Sequence, residues 1–340
     1  MITHCINKIV DGHPFVPDDF HGINNDSFCN EIIDEGIASL FYPLLSDKQN
    51  IPSKILEVSR KYYEAAFLYK DYCLQKLKEL QPSISKYGRI VLIQGFALLD
   101  KLYQEPYIRT MSDIDLYLPD GNIKHVRTEL IKNGFYPYGT YRNVLNYKGL
   151  QIDLHEDLWG QDRVSMRRLF APKNKIPFEP STLIPGCYCI PLPYLLFHSM
   201  FHAMKHAFNR KIWYVDLLLF QRKGLFSHLD TIDHYKIRNV ILNRFIDNGY
   251  LRTKVTPTDI SQSWNSKLQI YVLNNIKTKN TGELLLALSL NSFVNILRYL
   301  WSAIFLSKEN LTDMYGCHML IILYCKRICV LFKSMVKFIR

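Results

Sequence analysis

The chain has 340 residues, of which 48% are hydrophobic and 21% charged, and its formal net charge is +11. A chain of this length and composition buries a sizeable core in about two or three structural units, which excludes a disordered or low-complexity protein. The charge is uneven: residues 1–160 carry 17 Lys and Arg against 21 Asp and Glu, whereas residues 161–340 carry 25 against 10. A basic half attracts polyanions such as nucleoside triphosphates, nucleic acid or an anionic membrane surface, without choosing among them.

The eight cysteines are scattered along the chain and form no C-x-x-C pair. Neither a zinc site nor a disulfide framework is therefore expected. The first residues lack a basic segment followed by an apolar one, so no export signal is expected either. Together these features predict a cytoplasmic location.

The N-terminal region, residues 1–85, has the periodicity of helices. Apolar residues recur three and four apart in residues 31–45 and 55–80, with charged residues between them. The second helix is predicted to begin after Pro52 and to stop before Pro82, because proline lacks the N–H that a helix interior uses.

Residues 86–180 change to an α+β pattern, a small mixed sheet with helices. The predicted elements are a strand over Arg89–Gly95, a helix over Phe96–Gln104, a strand over Asp113–Leu118, a helix over Asn122–Gly134 and two strands over residues 143–160. Residues 181–340 are predicted to be helical again. This gives three regions, with boundaries near residues 86 and 181.

Two C-terminal segments raise the question of a membrane. Residues 284–306 are long and apolar, but Asn291, Asn295 and Arg298 interrupt them, which favours a buried helix over a spanning one. The tail, residues 319–340, mixes basic and apolar residues. A docked helix with a solvated basic face is favoured there over contact with a membrane surface or nucleic acid.

Three aspartates indicate the chemistry. Asp113 and Asp115 alternate with apolar residues on one predicted strand, and Asp153 lies on another. If these strands pair, the three carboxylates repel one another unless a cation neutralises them, and oxygen ligands suit Mg²⁺ or Mn²⁺. Gly95 ends a strand and opens a helix, where backbone N–H groups can bind a triphosphate.

These residues resemble the nucleotidyltransferase signature of the DNA polymerase β superfamily: a glycine turn, a D-I-D strand and a later carboxylate strand. The chain is more closely similar to a bacterial family of uncharacterised nucleotidyltransferases, which shares further elements over most of the sequence. In this chain those elements are Leu98, Leu102, Tyr103, Arg109, Gly134, Phe135, His155, Pro191, His198, His202, His206 and Asp216.

The resemblance implies transfer of a nucleoside monophosphate from a nucleoside triphosphate, taken to be ATP, to a hydroxyl acceptor. Asp113, Asp115 and Asp153 would be catalytic and would bind Mg²⁺ or Mn²⁺, with Asp153 also helping to accept the proton of the hydroxyl. The acceptor, a small molecule, peptide, protein or RNA, is not indicated. The expected nucleotide-binding residues are Gly95, Phe96, Arg109, Ser112, His155, His202 and His206.

Several roles stay open at this stage. His155 can orient a metal ligand or contact phosphate, and Asp216 can pair with a histidine of the helix predicted over residues 194–208. His198, His202 and His206 are also spaced to bind zinc, but packing or nucleotide contact is favoured because no H-E-x-x-H motif is present.

Two departures from the family pattern support an alternative function. Gln94 stands where relatives commonly have Lys, and Phe96 stands where a small residue is usual, so a bulky ring is expected to crowd the triphosphate. The alternative is a catalytically weak or inactive module that binds nucleotide or nucleic acid, such as an antitoxin or a regulatory partner.

Overall fold

The computed structural model describes residues 1–46, 48–104, 107–139, 143–158, 176–227, 281–290 and 293–304, together with isolated positions beyond residue 241. In this part of the chain a mixed sheet of seven strands is combined with helices that precede and follow it. The α+β prediction is therefore confirmed.

The N-terminal region is helical, as predicted. Gly36 adopts the left-handed conformation, with φ 73°, and this breaks the segment predicted over residues 31–45 into two helices. The helices are α1 (Ile2–Asp11), α2 (Asn25–Asp34), α3 (Ala38–Phe41) and α4 (Ser53–Ile84).

Helix α4 does not stop before Pro82, and in this respect the prediction was wrong. The helix runs through the proline to Ile84. Pro82 lies close to the helix end, so the missing N–H interrupts the hydrogen bonding only near the last turn. Leu80 and Ile84 are both buried, and their packing outweighs the local preference of proline.

The strands of the sheet are short. They are β1 (Val91–Leu92), β2 (Ile114–Tyr117), β3 (Tyr136–Pro137), β4 (Val144–Tyr147), β5 (Leu150–His155), β6 (Glu179–Pro180) and β7 (Tyr188–Cys189). Their order is β3-β4-β5-β2-β1-β7-β6. Helix α5 (Gln94–Lys101) follows β1, and helix α6 (Ile123–Lys132) follows β2. Strand β7 pairs with β1, so the sheet extends past the boundary predicted near residue 181.

The pairing of β2 with β5 determines where the site lies. The two strands are parallel neighbours, and Asp115 is directly opposite Asp153. Along β5 the odd residues are half-buried and the even residues are buried, as an alternating strand requires. The predicted pairing of the Asp113–Asp115 strand with the Asp153 strand is confirmed.

The described C-terminal helices are α7 (Leu192–Lys205), α8 (Ile212–Arg222), α9 (Thr281–Leu288) and α10 (Phe293–Ile304). The apolar segment 284–306 is thus two helices rather than one, because α9 ends at Leu288. Helix α9 packs on α7, but α10 exposes Phe293, Leu297 and Trp301, so its predicted burial is only partial.

Within the ranges that the structure describes, no helix combines the length and apolarity needed to cross a membrane. The tail, residues 319–340, lies largely outside those ranges, and the prediction of a docked helix there concerns residues that are mostly not described.

Candidate functional site

A cavity of about 520 Å³ opens between the sheet and the helices that precede and follow it in the sequence. Its floor includes Asp113 and Asp115, and its wall includes Gln94 and Gly95 at the start of α5. The remaining wall comes from Tyr62, Arg109, Thr110, Met111, Ser112, His198, Ser199, His202, His206, Asn209, Arg210, Trp213 and Asp216, among others. The cavity is therefore built from all three predicted regions.

Asp115, Asp153 and His155 form one compact cluster beside this cavity. One ligand atom of each lies within 4.8 Å of the others. The Nε2 atom of His155 is 2.9 Å from Oδ1 of Asp115 and 3.5 Å from Oδ2 of Asp153. Two carboxylates and one imidazole at this spacing are a donor set that fits a divalent cation.

His155 offsets the negative charge of the cluster. Burial of the ring favours its neutral form, but the charge of Asp153 and the hydrogen bond to Asp115 outweigh burial and raise its pKa to about 9. Only 15% of the side chain is exposed, compared with 6% for Asp115. Near neutral pH, and with no cation bound, the ring is thus the counter-charge that lets these carboxylates lie together.

Asp113 lies next to this cluster, at the border of the cavity. Burial and then the charge of Asp115 raise its pKa to about 6, against a weaker opposing effect from the hydroxyl of Ser112, which donates to its Oδ1 at 3.1 Å. The structure places Asp113 and Asp115 at the cavity, whereas Asp153 and His155 do not line it.

Strand β1, which leads into the turn before α5, is shorter than the strand predicted over Arg89–Gly95. Only Val91 and Leu92 are in the strand, because Gln94 turns the chain into the helix with φ 50°. That conformation is unusual for a residue with a side chain and often marks a functional turn. A Cβ on Gly95 would lie 2.9 Å from Met111, so only glycine leaves this side chain where it is.

Phe96 does not crowd the turn. Its ring is 1% exposed, packs in the core and does not border the cavity. The expected contact between Phe96 and nucleotide is therefore corrected, because the first turn of α5 directs this side chain inward. The expectation that a bulky ring obstructs the triphosphate is also wrong.

Arg109 borders the cavity, but most of its guanidinium is already engaged. Its Nε and Nη2 donate to Oδ1 and Oδ2 of Asp216, each at 2.9 Å, and the hydroxyl of Tyr103 donates to the same carboxylate at 2.6 Å. Asp216 thus pairs with Arg109 and Tyr103, which are partners other than the histidine that the sequence left open. Nη1 donates to the carbonyl of Thr110 at 3.2 Å and lies beside Gly95.

The loop that leads into Asp113 is held from both helical regions. Ser39 on α3 donates to the carbonyl of Ile108 at 2.8 Å, and Tyr69 on α4 donates to the carbonyl of Ser112 at 2.8 Å. Together with Asp216 on α8, these contacts fix the loop at both ends. The helices before and after the sheet therefore position the aspartates.

Three aromatic side chains form the opposite wall of the cavity. The ring of Trp213 is 5.5 Å from that of His202 and 5.3 Å from that of His206, and the two histidine rings are 4.6 Å apart, centre to centre. Burial lowers the pKa of His202 well below its usual value, so this ring is neutral at pH 7. His206 lies just past the end of α7, which stops at Lys205 rather than at residue 208.

His198 is buried more deeply than these rings. Burial lowers its pKa to about 4, against a weaker opposing effect from Asp115. Among the residues that the structure describes, the three histidines of this segment do not come together as a candidate metal site. The zinc interpretation therefore has no support from the geometry.

Sequence reasoning missed several residues that shape the site. Trp213 lies one helical turn before Asp216, and that spacing could have shown that both face the same way. Tyr103 was noted in the family pattern without a role. For Tyr69 and Ser39 no sequence signal was available, because their partners are backbone carbonyls of a distant loop.

The comparisons with known proteins agree with this geometry. The profile of a family described as "Uncharacterised nucleotidyltransferase" matches residues 21–235, which include every element of the cavity named above. No curated protein and no solved structure matches the chain. Because the profile spans more than half of the sequence, the chain belongs to the family of uncharacterised nucleotidyltransferases.

Proposed function

We propose that the protein transfers a nucleoside monophosphate from a nucleoside triphosphate to a hydroxyl group. The acceptor oxygen forms a bond to the α-phosphorus, the bond to the β-phosphate oxygen breaks, and pyrophosphate leaves as the hydroxyl loses its proton. The observation that carries the proposal is the placement of Asp115 opposite Asp153, beside a cavity that also receives the start of α5.

The carboxylates are the proposed cation ligands. Asp113, Asp115 and Asp153 would hold Mg²⁺ or Mn²⁺, and two of them, Asp115 and Asp153, belong to the donor set described above. A divalent cation held there would neutralise charge on the triphosphate and on the departing pyrophosphate. Asp113 borders the cavity and Asp153 does not, so Asp113 is better placed to take the proton from the acceptor hydroxyl.

The cavity wall supplies the proposed nucleotide contacts. The backbone N–H groups at the start of α5 face the cavity at Gly95 and can donate to the triphosphate. The Nη1 atom of Arg109 lies beside them and adds positive charge. The base would stack against Trp213, with His202 and His206 at its edge. We take ATP to be the nucleotide.

A second candidate is a module that binds nucleotide or nucleic acid without turnover. Gln94 favours this function, because it provides no cation at the turn, where the resemblance described above implies a Lys. The basic charge of residues 161–340 is compatible with it as well. Phe96 no longer favours it, since the ring is buried away from the cavity.

The two functions are separated by a transfer experiment in cell extract. The protein is incubated with each α-labelled nucleoside triphosphate and Mg²⁺, and the products are identified by mass spectrometry. A covalent adduct with the mass of a nucleoside monophosphate supports the transferase and identifies both acceptor and base. Tight nucleotide binding without any adduct, with all four triphosphates and in extracts of several organisms, supports the binding module.

A further inference from the structure

The imidazole of His155 has an unusual position relative to two aspartates. Its Nε2 atom alone faces both carboxylates, at 2.9 Å from Asp115 and 3.5 Å from Asp153. Asp153 and His155 are two residues apart on β5, so their side chains leave the same face of the sheet. Strand pairing then brings Asp115 opposite Asp153. The cluster is therefore set by the register of the sheet and not by flexible loops.

A histidine that ligates a metal directs one ring nitrogen at the ion and leaves the other nitrogen to a further hydrogen bond. In His155 the nitrogen that hydrogen-bonds to Asp115 also lies 3.5 Å from Asp153, so a single nitrogen faces both carboxylates. Here the nitrogen points into the space that both carboxylates share, since all three donor atoms lie within 4.8 Å of one another. An ion between Asp115 and Asp153 is thus within reach of the ring nitrogen.

We infer that His155 is a direct metal ligand, so that the cation site has two oxygen donors and one nitrogen donor from the protein. The inference rests on the proposed metal site. It adds His155 as a third protein ligand and a preference of the site for Mn²⁺ over Mg²⁺. Imidazole suits first-row transition ions better than it suits Mg²⁺. The site therefore binds Mn²⁺ more tightly than Mg²⁺, by a larger factor than carboxylates alone provide. Asp113, outside the three-residue group, contacts the cation from the cavity side or binds a second one.

The test is pulsed electron paramagnetic resonance of Mn²⁺ bound to the full chain, with no nucleotide added. A directly bound imidazole gives a ¹⁴N coupling to the Mn²⁺ spin, and ¹⁵N-labelling of histidine alters that coupling. The variants are His155→Phe, which removes the donor, and His206→Phe, which changes a histidine of the same cavity that lies outside the three-residue group. Circular dichroism checks that each variant is folded, and His155→Asn replaces His155→Phe if the latter is not.

The expected result is a nitrogen coupling in the wild type and in His206→Phe that is lost in His155→Phe. Mn²⁺ affinity, measured by titration calorimetry, should fall about tenfold or more in His155→Phe, and Mg²⁺ affinity should fall less. Mn²⁺ that binds without nitrogen coupling, and whose binding is lost in Asp115→Asn, overturns the inference but leaves the proposed metal site. Absence of Mn²⁺ binding, or binding that Asp115→Asn does not weaken, overturns both.

Discussion

Arg109 and Asp216 are joined by two parallel hydrogen bonds of 2.9 Å in the wall of the cavity, although they are 107 residues apart in sequence. Their side chains are 11% and 3% exposed. A bidentate pair at this depth fixes the guanidinium in one orientation and joins α8 to the loop before β2. The C-terminal helical region is thereby part of the site and not an appendage to it.

Removing one partner of this pair should destabilise the protein. In Asp216→Asn the Arg109 charge stays buried without its counter-charge, so the free energy of unfolding should fall by about 3–5 kcal/mol. Urea denaturation measures the change. The control is Asp11→Asn, whose partner Arg222 is at 3.7 Å with both side chains 51% exposed, and it should have little effect. Equal effects from the two variants would contradict a structural role for the buried pair.

A cation at the turn into α5 should strengthen nucleotide binding. Gln94 lines the cavity beside Gly95, and a Lys there would add a positive charge near the proposed triphosphate. We expect Gln94→Lys to bind ATP about fivefold more tightly at low salt, with the gain diminishing as salt rises. Calorimetric titration with ATP gives the measurement. Gln94→Glu is the matched variant and should weaken binding; a loss of affinity in both would exclude a triphosphate at this turn.

Trp213 should report directly on the base. Stacking of a base on an aromatic ring contributes about 1–3 kcal/mol, so Trp213→Ala should weaken nucleotide binding by about tenfold while Trp213→Phe retains most of it. Nucleotide should also quench tryptophan fluorescence in the wild type, and less so in Trp213→Phe. Unchanged affinity in Trp213→Ala would place the base elsewhere in the cavity.

Asp100 should make stability depend on pH in the acid range. Its carboxylate accepts hydrogen bonds from the hydroxyls of Ser181 and Thr182, each at 2.5 Å, and ties the β6–β7 segment to α5. Burial opposes the charged form, but these hydrogen bonds prevail and lower its pKa. Stabilisation by Asp100 is therefore present above the pKa of the unfolded state, about 4, and is lost as pH falls through the lower folded value. The stability difference between the wild type and Asp100→Asn should shrink from pH 6 to pH 3; a constant difference would show that the charge of Asp100 is irrelevant.

Local patterns were sufficient to predict the centre of the site. The alternation around Asp115 and Asp153 is a property of neighbouring residues, and two such strands in one small sheet have few ways to pair. The α+β class and the order of elements from β1 to β5, apart from the short strand β3, followed from the same periodicity. The start of α5 at the end of β1 was also predictable, because glycine marks such turns.

Long-range partners were beyond sequence reasoning. Arg109 was expected to contact phosphate. Its pairing with Asp216 was missed because nothing near Arg109 in the sequence indicates that partner. The inward direction of Phe96 depends on the left-handed turn at Gln94, a conformation that residue type does not predict. Pro82 continues a helix because tertiary packing outweighs propensity.

We expect Asp115 to be essential for metal-dependent nucleotidyl transfer, and the release of pyrophosphate is the readout of that step. The assay uses ATP, Mg²⁺ or Mn²⁺ and a cell extract that has been heated to inactivate its own enzymes. It compares the wild type with Asp115→Asn and Asp120→Asn. Asp120 follows the same strand but pairs with Arg89 at the surface, away from the cavity. We expect release that requires the metal, persists in Asp120→Asn and falls at least a hundredfold in Asp115→Asn, roughly the effect of losing one group that stabilises developing charge. Release that is equal in the wild type and Asp115→Asn would contradict it.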